Sequence, residues 1–217
     1  MGKKQRAMDE QAKQARRNEI IEAALSLLEE AQDYDSVTMS RIAKEAGVAK
    51  GTLYLYFQTK EELFMQAMGD ILGDWLGAWI ADLEALPTPA PIEDVVELLA
   101  KTFTERPLLT SLYTILHSTI EANISTEVAI AYKRRLRDEI LPIGELIEKK
   151  VAQLNEPGDG FRFLLRTNAI MLGVYQQANP APAAAKALKA IDLAMFRVDF
   201  EEEFTAICTA LLRGWQS

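Results

Sequence analysis

The chain has 217 residues, 49% of them hydrophobic, with 24 Lys and Arg against 32 Asp and Glu for a net charge of −8, enough length and apolar content for one large or two modest globular domains. Asp70, Asp74 and Asp82 interrupt the most hydrophobic stretch, so no apolar run approaches the ~20 residues of a membrane span. The opening MGKKQRAMDEQAKQARR lacks the apolar core of a secretory signal, and the reading is a cytoplasmic protein with no membrane partner. The single cysteine, Cys208, excludes an intrachain disulfide and a cysteine-rich zinc site, and its apolar helical setting reads as that of a small buried hydrophobe.

Residues 1–17 carry +4, and this basic start reads either as a surface for a polyanion or as a solvated tail. The periodicity predicts a first helix over Asn18–Glu30 with Ile20, Ala24, Leu27 and Leu28 facing inward. A second helix follows Thr38, whose hydroxyl can cap its free amides, with Met39, Ile42, Ala43 and Ala46 on its inner face. Gly47 ends it, because a glycine accepts the left-handed backbone of a sharp interhelical turn. Ala49–Phe57 then reads as a third helix with Leu53 and Phe57 inward. Lys50, Gly51, Thr52, Tyr54 and Tyr56 are left for its other faces. A cation, a position without a side chain, a hydroxyl and two phenols are groups that meet phosphates and base edges. Thr59 and Glu62 form a Thr-x-x-Glu capping box. Lys60 stands in the first turn of the helix they open, against the helix dipole, and a nearby phosphate would explain it.

Every long segment beyond this point also has helical periodicity and none alternates like a strand, so the fold class is all-α. Lys60–Leu86 carries Phe64, Met68, Ile71, Trp75, Trp79 and Leu83 on one stripe and stops at the loop Pro87–Pro91. Further helices are predicted at Ile92–Arg106, Leu108–Ile120, Thr126–Leu154 with a kink near Pro142, Gly160–Ala178 and Val198–Trp215, with a short one in Ala183–Ala194. The Gly160 and Val198 helices are apolar on more than one face, which suits either burial within one chain or a four-helix interface between two chains.

No residues with catalytic spacing are present. The only histidine, His117, is accompanied by no nucleophile elbow, phosphate loop or His-Glu-x-x-His motif, and no metal or cofactor site is read. His117 reads as a satisfied or exposed side chain or as a ligand contact, and Arg134, Arg135 and Arg137 as a solvated face. Net acidity is unequally spread: residues 36–60 carry +3 and residues 18–35 carry −6. An acidic body with basic segments at the hairpin favours orientated, salt-dependent binding of DNA.

The string from Gly47 through Val48, Ala49, Leu53, Tyr54, Tyr56, Phe57, Thr59, Lys60 and Glu61 to Leu63 resembles the G-V-[ST]-x-x-x-[LI]-Y-x-[HY]-F-x-[ST]-K-[ED]-x-L hallmark of the TetR (tetracycline-repressor) family of bacterial transcription regulators. Two positions depart from it. Ala49 replaces the usual capping Ser or Thr, and Gln32 and Asp33 stand where relatives usually carry a glycine before Tyr34. The resemblance covers roughly Arg17–Met68. It implies a basic arm and helix-turn-helix domain over residues 1–60, and a helical effector-binding and dimerisation domain over residues 61–217. Lys50, Gly51 and Thr52, with Ser40, would approach base edges of an operator duplex, and Thr38, Arg41, Tyr54, Tyr56 and Lys60 would hold phosphates. It also implies a homodimer through the last two long helices and a repressor released by a small-molecule effector. Candidate lining residues for that effector are Trp75, Trp79, Phe103, Tyr113, His117, Met171, Tyr175 and Gln176, each of which equally suits plain core. The rival expectations are a helical ligand-binding or protein-interaction module, and a DNA-binding regulator without an effector.

Overall fold

The computed structural model describes residues 2–31, 33–115 and 119–216, which form helices and turns with no strand among them. The elements are α1 (Gly2–Ala31), α2 (Met39–Glu45), α3 (Lys50–Tyr54), α4 (Lys60–Ala85), α5 (Ile92–Thr104), α6 (Pro107–Ile115), α7 (Thr126–Lys150), α8 (Asp159–Ala178), α9 (Pro182–Ala187) and α10 (Phe200–Arg213). Short 3-10 turns cover Glu121–Asn123 and Ile191–Phe196. No helix among the described residues is long and apolar enough to cross a membrane.

Several boundaries differ from the sequence reading for local reasons. Helix α1 begins at Gly2 instead of Asn18, because the basic start consists almost wholly of Lys, Arg, Gln, Glu, Ala and Met, all good helix formers. The piece expected at Ala183–Ala194 is split: α9 opens on Pro182 and closes at Ala187, and the 3-10 turn starts at Ile191. Pro182 suits a first helical position, where its missing N–H costs nothing. Helix α7 passes Pro142 unbroken but ends at Lys150, four residues short of the expected Leu154.

The contacts divide the chain into two compact units, residues 1–70 with 115–132, and residues 71–114 with 133–217. In the first unit Ile20, Ala24, Leu27 and Leu28 of α1 are buried, with Ile42 and Ala43 of α2, Leu53, Phe57, and Leu63, Phe64 and Met68 of α4. In the second unit the core draws on Leu72, Leu76, Trp79 and Leu83 of α4, Val95, Val96 and Leu99 of α5, Ile143 and Ile147 of α7, Phe163 and Met171 of α8, and Phe204, Cys208 and Leu212 of α10. Cys208 is fully buried, as expected, and burial pushes its thiol pKa up to about 12. Lys150 closes the far end of α4: its Nζ donates to the carbonyls of Glu84 at 3.1 Å and Leu86 at 2.5 Å. A cation there satisfies orphan carbonyls and meets the negative end of the helix dipole.

Candidate nucleic-acid interface

In the first unit, Thr38 sits just before α2 with extended backbone, and its hydroxyl accepts from the Arg41 N–H at 3.3 Å, the cap its sequence position suggests. Gly47 has φ +64°. That left-handed turn lets the Val48 N–H return to the Ala43 carbonyl at 2.9 Å, closing α2 and redirecting the chain. Ala49 precedes α3 and offers no side-chain cap. Helix α3 is shorter than the predicted Ala49–Phe57, since after Tyr54 the N–H groups of Leu55 and Tyr56 turn back three residues, to Thr52 and Leu53. The tightened end still buries Leu53 and Phe57, at 0% and 2% exposure. With those two as the anchor, Lys50, Gly51 and Tyr54 are exposed and Thr52 and Tyr56 half-buried. Leu55 is 80% exposed, an apolar tip that periodicity did not single out.

Ser40 and Arg41 are exposed on α2, and Arg41 Nη1 donates to the Ser36 carbonyl at 2.9 Å. Thr59 caps α4 by accepting from the Glu62 N–H at 3.0 Å, while Glu62 Oε2 reaches back to the Gln58 N–H at 3.0 Å. The box is therefore reciprocal, shifted by one residue at its second bond.

Lys60 is placed differently from the sequence argument. Its Nζ donates to the Tyr34 carbonyl at 2.9 Å and lies 3.9 Å from the centre of the Tyr34 ring. Those contacts explain a lysine at a helix start without any outside anion. Tyr34 is buried, packs on Phe64 with ring centres 5.2 Å apart, and donates through its hydroxyl to Glu61 Oε1 at 3.3 Å. Burial, and then the adjacent Glu61 carboxylate, push its phenol pKa well above the usual range. Arg17 adds a second tie, its guanidinium 4.9 Å from the Phe57 ring centre and its Nη2 donating to Gln66 at 3.0 Å. Sequence reasoning missed Tyr34 and Arg17 as positioning residues. Tyr34 lies between Asp33 and Asp35, where no periodic signal marks it as core. Asp33, one of the two residues where relatives usually carry a glycine, accepts with its side chain from the Asp35 N–H at 3.1 Å in the turn after α1.

In the second unit a cavity of ≈ 60 Å³ is bounded by Leu72, Trp75, Leu76, Trp79, Leu99, Phe103, Tyr113, Leu136, Ile140, Ile143, Leu164, Thr167 and Asn168. Four of the predicted lining residues, Trp75, Trp79, Phe103 and Tyr113, meet there. Met171 is packed in the core, Gln176 is exposed, and Tyr175 packs edge-on to Phe200 at 5.9 Å. His117 lies outside the described residues.

Residues 20–67 match the model for bacterial regulatory proteins of the tetR family, and residues 71–217 match the tetracyclin repressor-like C-terminal domain. The chain is 45% identical over 58 residues to the fatty acid metabolism regulator protein of Bacillus subtilis (strain 168), covering 25% of this chain and 29% of that protein. It is 33% identical over 132 residues to the HTH-type transcriptional regulator BetI of Rhizobium meliloti (strain 1021), covering 58% of this chain and 63% of that protein. The matched stretches thus span less than two thirds of either relative, and both relatives are regulators rather than enzymes. The fold is similar to that of the fatty acid degradation regulator FadR from Bacillus halodurans, with a TM-score of 0.57 at 21% identity, over 92% of this chain and 99% of that one. With the C-terminal model alone covering more than half of the sequence, the chain belongs to the TetR family.

Proposed function

We propose that the protein is a DNA-binding transcription regulator, a repressor that works as a homodimer and leaves its operator when a small molecule binds the helical body. The observation that carries the reading is α3: its buried Leu53 leaves Lys50, Gly51 and Tyr54 exposed together on a short helix after a sharp glycine turn. Helices so mounted enter the major groove, where side chains near the helix start reach base edges. Lys50, Gly51, Thr52 and Ser40 are assigned to base edges, and Thr38, Arg41, Tyr54 and Tyr56 to phosphates. Leu55 adds an apolar tip suited to a thymine methyl. Residues 1–60 would serve as the reading head and residues 61–217 as the sensing and dimerising body, in the cytoplasm.

Two heads must reach successive major grooves about 34–36 Å apart or a multiple of it, so a second copy is required. Leu165 on α8 is 54% exposed, and Ile191, Met195 and Phe196 are 92%, 82% and 60% exposed in the same unit. These apolar side chains, together with α8 and α10, are the surface assigned to the second copy. Helix α4 contributes Lys60 to the first unit and Trp75 and Trp79 to the cavity wall of the second. An effector with unequal affinity for the DNA-competent and incompetent states would act through that shared helix.

Lys60 separates two roles. Its ammonium has three donors, one of them used on Tyr34, so a phosphate can still be held. Lys60→Ala is expected to weaken binding to every duplex and to reduce the magnitude of the slope of log affinity on log salt by about 1. An unchanged slope with lowered thermal stability would make Lys60 a clamp on Tyr34 alone.

A further inference from the structure

The cavity of the second unit has a definite chemical character. Of the residues that bound it, ten are Leu, Ile, Trp or Phe, and Tyr113, Thr167 and Asn168 are uncharged polar residues. None of these described residues carries a formal charge. Trp75 and Trp79 form one wall, with ring centres 6.3 Å apart and planes inclined by 14°. Phe103 tilts against Trp75 at 5.8 Å and meets Phe204 edge-on at 5.5 Å, which holds the aromatic wall from behind.

The indole N–H groups of Trp75 and Trp79 are both buried with no acceptor on the protein, and Trp79 as a whole is 3% exposed. A buried donor left unmet keeps its desolvation penalty, and an indole nitrogen can only donate. The complement of these two groups is therefore an acceptor oxygen. An ammonium or carboxylate ligand would find no counter-charge among these described residues, and its desolvation would go uncompensated by them.

We infer that this cavity, taken as the sensing site proposed above, binds an uncharged and largely apolar molecule with a hydrogen-bond acceptor, of the aromatic-ketone kind. Its ≈ 60 Å³ is well below the ~150 Å³ that takes up benzene in a dry protein cavity. The ligand therefore enters by parting the wall side chains.

The test uses the full chain, tryptophan fluorescence and thermal unfolding, with four probes: benzophenone, diphenylmethane (the same two rings without the oxygen), tetraphenylphosphonium and decanoate. Benzophenone is expected to quench and stabilise the protein, binding about tenfold tighter than diphenylmethane, as one well-placed hydrogen bond gives. Both charged probes bind more weakly than benzophenone. Trp75→Phe and Trp79→Phe keep the rings, remove the donors and shrink the ketone's advantage. Equal affinity for the two diphenyl probes, or preference for either ion, overturns the ligand class while leaving a sensing body in place. No response to any probe overturns the sensing reading as well.

Discussion

Replacing Gly160 with alanine is expected to cost about 3 kcal/mol or more, the upper range for forced overpacking. A Cβ at Gly160 would stand 2.0 Å from the Gly144 carbonyl oxygen and 2.7 Å from its carbon. Both obstacles are backbone, so no side chain can rotate away. Helices α7 and α8 touch here main chain to main chain, and the crossing is pinned nearby: Glu148 Oε1 accepts from the N–H groups of both Gly158 and Gly160 at 2.9 Å. Asp159, fully buried, accepts from the Glu156 N–H at 3.1 Å and pairs with Arg162 at 2.9 Å. Parting the helices enough for a methyl group would break some of these bonds. Urea unfolding checks the prediction, with Gly77→Ala in α4 as the contrast. Gly77 is exposed and a Cβ there meets nothing within 4 Å, so alanine should raise stability by about 0.5–1 kcal/mol through helix propensity. Similar stability changes for the two variants would mean that the α7–α8 crossing is looser than described.

Gly51→Glu should weaken operator binding steeply without harming the fold. The position lies inside α3, is exposed, and leaves open space around a Cβ. Glutamate is a better helix former than glycine, so thermal stability should hold or rise slightly. On the proposed docking, the new carboxylate would face the duplex between Lys50 and Thr52, adding like-charge repulsion and bulk together. Operator affinity is expected to fall by about 100-fold or more, the cost of roughly 3 kcal/mol at the position proposed to contact base edges. Retained affinity in a stably folded variant would remove α3 from the interface.

The reading head was legible because its signals are local. Thr38, Gly47 and the Thr59–Glu62 box each act on backbone groups within five residues, and all three appear where the sequence puts them. What escaped were ties between distant residues. Tyr34 to Lys60 and Glu61, and Arg17 to Phe57 and Gln66, span 26 to 49 positions along the chain where a hydrogen bond joins them. A lysine set against a helix dipole looked like an anion site. A buried tyrosine carbonyl and ring accounts for it equally well. In the body, periodicity found the inner face of α4 but read α8 as apolar on more than one face without singling out the fully buried Phe163. It does not say which inward side chains fill space and which leave a gap. Met171 therefore became core while Trp75 and Trp79 of the same candidate set bound a cavity. The dense packing between α7 and α8 had no sequence signal beyond two glycines sixteen residues apart.

A protein of the proposed function reads one duplex in preference to others. Fluorescence anisotropy with the DNA beside the protein's own gene, and with a scrambled duplex of equal length, tests it most directly. Two chains per site are expected, with an affinity about 10³-fold or more above that for the scrambled sequence and steep weakening as salt rises. Equal, weak binding to both duplexes at low ionic strength would contradict it.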